Sequence, residues 1–292
     1  MRGASLRFQR HLTMAMIVAT SASLMLAATF VASPSDVDPG IPSIAHPMHS
    51  HNDYYQAEPL IGALRAGARS IEVDVFPGAE HLMVAHDRHE IRPERTFAQM
   101  YGVPLAQRLS QFGAVYEAQP DDQPVILLVD FKGDPDDSLD LLIEHTRPLE
   151  RYLVRSDGHK SLRGKLLVVV SGNTPRERIS SLQTRDIFVD GRLPDLNKSG
   201  LDATVAPLVS SNWSSTFRWT GHGAFPEDER ARLEALVRRA HDRGQAIRFW
   251  ATPDHAGAWS VLHEVGVDLI NTDRPDDLAV FLTEGGVKGE RP

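Results

Sequence analysis

The chain has 292 residues, with Lys+Arg 31 against Asp+Glu 39 and a formal net charge of −8. The length fits one large domain or two small ones, and 41% hydrophobic with 24% charged content excludes long disorder, collagen-like sequence and a polytopic membrane protein. Cys 0 excludes disulfides, thiolate metal sites and cysteine nucleophiles together, and the acidic balance argues against a nucleic-acid partner, which a basic patch would bind.

Residues 1–32 read as a leader. Arg2, Arg7 and Arg10 precede an apolar run from Met14 to Ala32. A basic start before an apolar run is the pattern of an export signal, and the run is also nearly long enough for an uncleaved membrane anchor. No cysteine follows it, so a lipoprotein anchor is excluded. Residues 33–47 contain four prolines and read as a linker. Residues 48–284 form the expected domain, placed outside the cytoplasm, and 285–292 a tail.

Within the domain, strand and helix patterns alternate. Strand-length apolar runs occur near Ile44–His49 and at Ser70–Phe76, Pro124–Phe131, Lys165–Ser171, Ile187–Val189, Ala206–Ser210, Ala246–Ala251 and Leu269–Asn271. Helical patterns cover Pro59–Ala66, Pro104–Tyr116, Pro135–Leu153, Pro175–Leu182, Pro226–Arg243, Ala256–Val265 and Pro275–Leu282. Several begin with proline, whose missing N–H costs nothing in a first turn. Near-continuous apolar strands are those covered on both faces of a parallel sheet. About eight strand–helix units imply an α/β fold, a (β/α)₈ TIM barrel. A doubly wound open sheet is the runner-up, but no Gly-x-Gly-x-x-Gly follows any strand. The stretch from Gly191 to Gly223 is irregular and suits a lid or substrate loop.

Chemistry gathers at the strand ends. In Ser70-Ile71-Glu72-Val73-Asp74-Val75, side chains alternate, so Glu72 and Asp74 share one face and Ile71, Val73 and Val75 the other. If the apolar face meets the helices, the two carboxylates enter the barrel and need a cation or hydrogen bonds. The alternative is a solvated edge strand. Asp130 and Lys132 share a face at the end of the next strand, where barrel active sites are built; a plain ion pair is the other reading. Glu72, Asp74 and Asp130 together offer three hard oxygens, suited to Mg²⁺ or Ca²⁺. His49, His51 and His86 lie beside strand ends and are candidates for neutral-pH proton transfer. Trp213, Phe217, Trp219 and Trp250 are read either as the wall of an apolar or choline-like subsite or as ordinary packing.

His51-Asn52-Asp53, Glu72-Val73-Asp74, His86-Asp87, Asp130-Phe131-Lys132 and Gly266 to Pro275 occur in that order. The chain thereby resembles the superfamily of glycerophosphodiester phosphodiesterases, phosphatidylinositol-specific phospholipases C and spider-venom-type phospholipase D. It is most similar to the branch named for the yeast altered-inheritance-of-mitochondria protein 6, through its His-Ser-His-Asn-Asp-Tyr opening and its Arg248-Phe249-Trp250-Ala251-Thr252-Pro253-Asp254 strand. The resemblance runs from about His49 to Leu282. It implies a TIM barrel with one divalent ion, Mg²⁺ or Ca²⁺, held by Glu72, Asp74 and Asp130. His51 and His86 are the implied acid–base pair, with His51 preferred over His49, and Lys132 the phosphate-binding lysine. Asn52 and Trp250 join Lys132 as expected substrate contacts. The chain departs from the usual His-Arg-Gly opening, from the Glu-Asn-Thr that follows it (here Glu58-Pro59-Leu60), and from a glutamate as third ligand (here Asp130).

The expectation is an exported, metal-dependent phosphoric diester hydrolase acting on a glycerophosphodiester or phospholipid-like substrate, in contact with a membrane surface. A phospholipase D-type enzyme that cyclises a lysophospholipid or sphingolipid, and a non-enzymatic barrel that binds a ligand, are the alternatives. Oligomeric state is not legible in the sequence.

Overall fold

A computed structural model describes residues 40–120 and 122–284. The expected leader (1–32), residues 33–39 of the linker and the tail (285–292) lie outside the described residues. Eight parallel strands close a barrel: β1 (His46–Ser50), β2 (Ala68–Pro77), β3 (Val125–Phe131), β4 (Leu166–Gly172), β5 (Ile187–Arg192), β6 (Leu208–Asn212), β7 (Ala246–Trp250) and β8 (Leu269–Thr272). Closure comes from β1, which pairs with both β8 and β2. A three-residue strand, Leu82–Val84, folds back antiparallel on the end of β2. This is the (β/α)₈ barrel expected from the alternation. β1 starts two residues inside the segment read as linker. Its register shifts between His46 and His49, around Pro47, which has no N–H for the ladder.

Helices α1 (Ile61–Arg65), α2 (Val103–Phe112), α3 (Pro135–Thr146), α4 (Arg176–Ser181), α5 (Glu227–His241), α6 (Ala256–Val265) and α7 (Pro275–Thr283) lie along the expected helical segments. The long pattern after β3 is divided. α3 starts under an Asp134 cap that accepts from the Asp136 and Asp137 amides, and it gives way at Arg147-Pro148 to a 3₁₀ segment ending at Tyr152. α2 stops short of Tyr116 because Gly113 takes a left-handed conformation, φ +72. After β5 comes only a 3₁₀ turn, Leu193–Asn197.

Alternation sorts the side chains. Ile71, Val73 and Val75 of β2 join the outer core with helix residues such as Leu139, Leu142 and Leu278. The interior is plugged lower down by Ile126, Leu128, Leu167, Val169, Phe188, Leu208 and Leu269. Burial of these side chains is worth roughly 1.5–3 kcal/mol each.

Candidate active site

In-register pairing puts Asp74 opposite Asp130, and Asp130 opposite Ser171. One level of the barrel therefore carries two carboxylates at the C-terminal ends of adjacent strands, with Glu72 one inward position deeper on β2. Oxygens of Glu72, Asp74 and Asp130 all lie within 4.8 Å of one another. Glu72 and Asp74 are buried. The solvated-edge reading of β2 is thus corrected: both carboxylates enter the barrel, because Ile71, Val73 and Val75 bury the other face under the helices.

The surroundings of Asp74 are lopsided. Its Oδ2 accepts from Tyr54 Oη at 2.8 Å, lies 2.7 Å from His86 Nδ1 and 3.0 Å from Lys132 Nζ. Its Oδ1 is buried and, among the described residues, accepts no hydrogen bond. A buried carboxylate oxygen without a donor is costly. Lys132 also bridges to Asp130 Oδ1 at 3.1 Å. Burial, joined by the charges of Asp74 and Glu72, pushes the Asp130 carboxyl up to about 6 against the pull of Lys132. Gly172, with φ +66, borders this carboxylate, and a Cβ there would run into Asp130 Oδ1 and the Phe131 carbonyl. Three hard oxygen donors, an unpartnered buried oxygen and a glycine that keeps the space open fit a hard divalent cation.

Beneath this level, His49 is wholly buried. Its Nδ1 lies 2.7 Å from Ser70 Oγ and its Nε2 2.7 Å from Glu72 Oε2. Arg248 Nη1 donates to the same Glu72 oxygen at 2.9 Å and touches His49 Nε2. A neutral imidazole that donates from Nε2 to Glu72 and accepts at Nδ1 from Ser70 satisfies both ring nitrogens. Burial and the charge of Arg248 bring His49 down to about 3 despite Glu72. Burial pushes Glu72 up, but Arg248 and His49 outweigh it and hold the carboxyl well below the usual range.

His51 stands at the mouth, its side chain 27% exposed, with Nδ1 2.7 Å from Asp273 Oδ1. Burial lowers its pKa, but the Asp273 hydrogen bond and the charges of Glu72 and Asp273 outweigh this, so the net shift is upward. His51 follows β1 directly, with its amide bonded to the Thr272 carbonyl of β8 at 3.0 Å. Asn52 next to it is left-handed, φ 45, a conformation asparagine tolerates. Asp53 is buried and accepts from Ser50 Oγ, the Leu60 amide and Tyr101 Oη. That tie holds the loop carrying His51 and Tyr54.

The structure thus gathers Glu72, Asp74, Asp130, Lys132 and His86 in one contact network, with His51 at the same end of the barrel. Trp250 ends β7 on the same strand face as Arg248 and is 38% exposed. Trp213, Phe217 and Trp219 are buried and pack with Phe225 and Phe249 at ring separations of 4.2–6.4 Å, so those three are core and not a subsite wall. Sequence reasoning missed Tyr54, Asp273 and Arg248. Arg248 shares an inward face with Trp250 by the period of two and opens the segment that carries the family resemblance, two signals that could have marked it. The bonds of Tyr54 and Asp273 span 20 and 222 residues and leave no local trace.

A model of the AIM6-like phosphodiesterase domain matches residues 40–190. The altered inheritance of mitochondria protein 6 homolog of Arthroderma benhamiae is 29% identical over 269 residues, covering 82% of this chain and 84% of its own length. Altered inheritance of mitochondria protein 6 of Eremothecium gossypii is 28% identical, over 80% of this chain and 69% of its own. A crystal structure of a glycerophosphodiester phosphodiesterase from Parabacteroides distasonis superposes with a TM-score of 0.50 at 14% identity, covering 84% of this chain and 98% of that one, a likeness in fold.

Proposed function

The chain belongs to the family of AIM6-like phosphodiesterase domains, and we propose that it is a phosphoric diester hydrolase that depends on one divalent cation, Mg²⁺ or Ca²⁺. The observation that carries this reading is the Glu72–Asp74–Asp130 cluster, in which, among the described residues, every side-chain donor to Asp74 falls on Oδ2 and the buried Oδ1 has none. When bound there, the cation supplies positive charge against the phosphate and the charge that develops on it. Glu72, Asp74 and Asp130 would hold it.

Lys132, poised between Asp74 and Asp130, turns its ammonium to a phosphate oxygen. His51 and His86 have the same form: Nδ1 is tied to a carboxylate, Asp273 or Asp74, which leaves Nε2 for the substrate. One takes a proton from the nucleophile and the other gives one to the leaving oxygen. His49, with both ring nitrogens engaged inside the barrel, is a support for Glu72. Asn52 and Trp250 at the mouth contact the groups either side of the phosphate. The substrate is a glycerophosphodiester or phospholipid-like diester, met at a membrane surface.

The test is turnover of a panel of phosphodiesters by the purified chain. EDTA is expected to abolish it and Mg²⁺ or Ca²⁺ to restore it; unchanged turnover after exhaustive chelation removes the metal from the reading. We also propose export, from the basic and apolar pattern of residues 1–32. Cell fractionation should find the protein outside the cytoplasm, and purely cytoplasmic protein would refute it. Among the described residues no helix is long and apolar enough to cross a membrane.

A further inference from the structure

The segment Arg248-Phe249-Trp250-Ala251-Thr252-Pro253-Asp254 has a charged residue at each end, and neither touches the phosphate in the reading above. Arg248 is buried inside the barrel. Its Nη1 donates to Glu72 Oε2 at 2.9 Å and its Nε to Ser210 Oγ on β6 at 3.3 Å. A buried guanidinium is tolerable only when paired and hydrogen-bonded, and its partner here is a carboxylate of the cation cluster. Arg248 and His49 both engage Oε2 of Glu72. Together they fix the rotation of that carboxylate and leave Oε1 as the oxygen they do not use.

At the other end, the chain leaves β7 through Ala251 with φ +55, a left-handed conformation that a residue with a Cβ adopts at a cost. The Trp250 carbonyl, just before this turn, accepts the Trp213 amide at 2.9 Å. The turn carries Asp254 to the end of β8. There its Oδ2 accepts the Asp273 amide at 2.9 Å, its Oδ1 accepts Trp259 Nε1 at 2.9 Å, and its carbonyl meets Arg274 Nη1 at 3.4 Å. Asp273 in turn holds His51 Nδ1. Two ends of one short segment thus reach the two halves of the site.

We infer that residues 248–254 are a positioning strut: Arg248 sets the rotation of Glu72 for the cation, and Asp254 sets the Asp273 loop and through it the orientation of His51. The inference rests on the phosphodiesterase reading. Neither residue is catalytic; each acts through a neighbour.

The experiment uses the full chain, with Mg²⁺ and Ca²⁺ affinity read by calorimetry. Turnover is read on a glycerophosphodiester, whose alkoxide leaving group needs a general acid, beside bis(p-nitrophenyl) phosphate, whose leaving group does not; the kcat values below refer to the former. Arg248→Met is expected to weaken cation affinity about 10–100-fold, the usual effect of losing a partner behind a ligand. Arg248→Lys keeps the charge without the planar fork and should fall between the two. Asp254→Ala should keep wild-type cation affinity and KM while kcat drops about 10–100-fold, as misplacement of an acid–base group does. Asp254→Asn retains an oxygen for the Asp273 amide and should recover most of that loss. If Arg248→Met does not fold, Arg248→Lys carries that arm. Wild-type cation affinity in the Arg248 variants, wild-type kcat in Asp254→Ala, or an equal loss of cation affinity at both ends would overturn the strut. A wild-type chain that binds neither cation, or turns over no phosphodiester, sinks the phosphodiesterase reading itself, a result distinct from all of these.

Discussion

The two ends of the barrel interior are built on opposite terms. The floor is Ile126, Leu128, Leu167, Val169, Phe188, Leu208 and Leu269, apolar side chains that satisfy one another by packing alone. The mouth gathers three carboxylates within 4.8 Å, leaves Asp74 Oδ1 without a donor among the described residues and holds Asn52 and Ala251 in left-handed conformations. Contacts such as Arg248 with Glu72 and Lys132 with Asp74 offset part of its cost, but the donorless Asp74 Oδ1 and the raised Asp130 carboxyl leave a penalty there. β3 supplies both ends, Ile126 and Leu128 to the floor and Asp130 to the mouth, so the difference is one of level along a strand, two to four residues apart. Stability resides in the lower level, which offsets the cost of keeping reactive groups together in the upper one.

If that division is right, Asp130→Asn should produce the largest effect on activity and no loss of stability. Losing a ligand removes several kcal/mol of charge stabilisation, a fall in turnover of at least about 10³-fold. Burial raises the Asp130 carboxyl to about 6, so above that pH its ionised form costs stability, and the neutral isostere removes the cost. Thermal melts in chelator at pH 7 to 8 should show a Tm no lower than wild type. A marked drop in Tm would mean the mouth carries fold stability after all.

His51→Ala and His86→Ala should each lower turnover about 10²–10⁴-fold with native melts. The raised pKa of His51 adds a pH signature. Its ion pair with Asp273 is fully formed below pH 6.5 and is lost as pH rises through the folded pKa. The His51 limb of the rate profile therefore lies above pH 6.5, rising if it is the base and falling if it is the acid. Asp273→Asn should move that limb to lower pH, and a limb that stays in place would separate Asp273 from His51.

The floor gives the reciprocal result. Phe188→Ala, at a fully buried position, should cost about 3–5 kcal/mol by denaturant unfolding, while kcat per folded molecule changes only a few-fold. Turnover lost in proportion to the catalytic variants would show that the two levels are not separable.

Much of this was legible beforehand. Eight apolar runs separated by helical patterns specify the barrel, since strand and helix periods and proline at first turns are local properties. The period of two also put Glu72 and Asp74 on one face, and Asp130 with Lys132. The aromatics of the Gly191–Gly223 stretch were ambiguous, because Trp213, Phe217 and Trp219 carry no period that separates a pocket wall from a core. Composition and periodicity are carried by neighbours in the chain, so they determined the fold class and which residues could reach the barrel interior. Which carboxylates meet, why His49 is sealed beneath Glu72 while His51 stands at the mouth beside Asp273, and that Arg248 closes on a residue 176 positions away were decided only by barrel closure. Those contacts depend on the stagger between strands, and no segment of the sequence encodes that by itself.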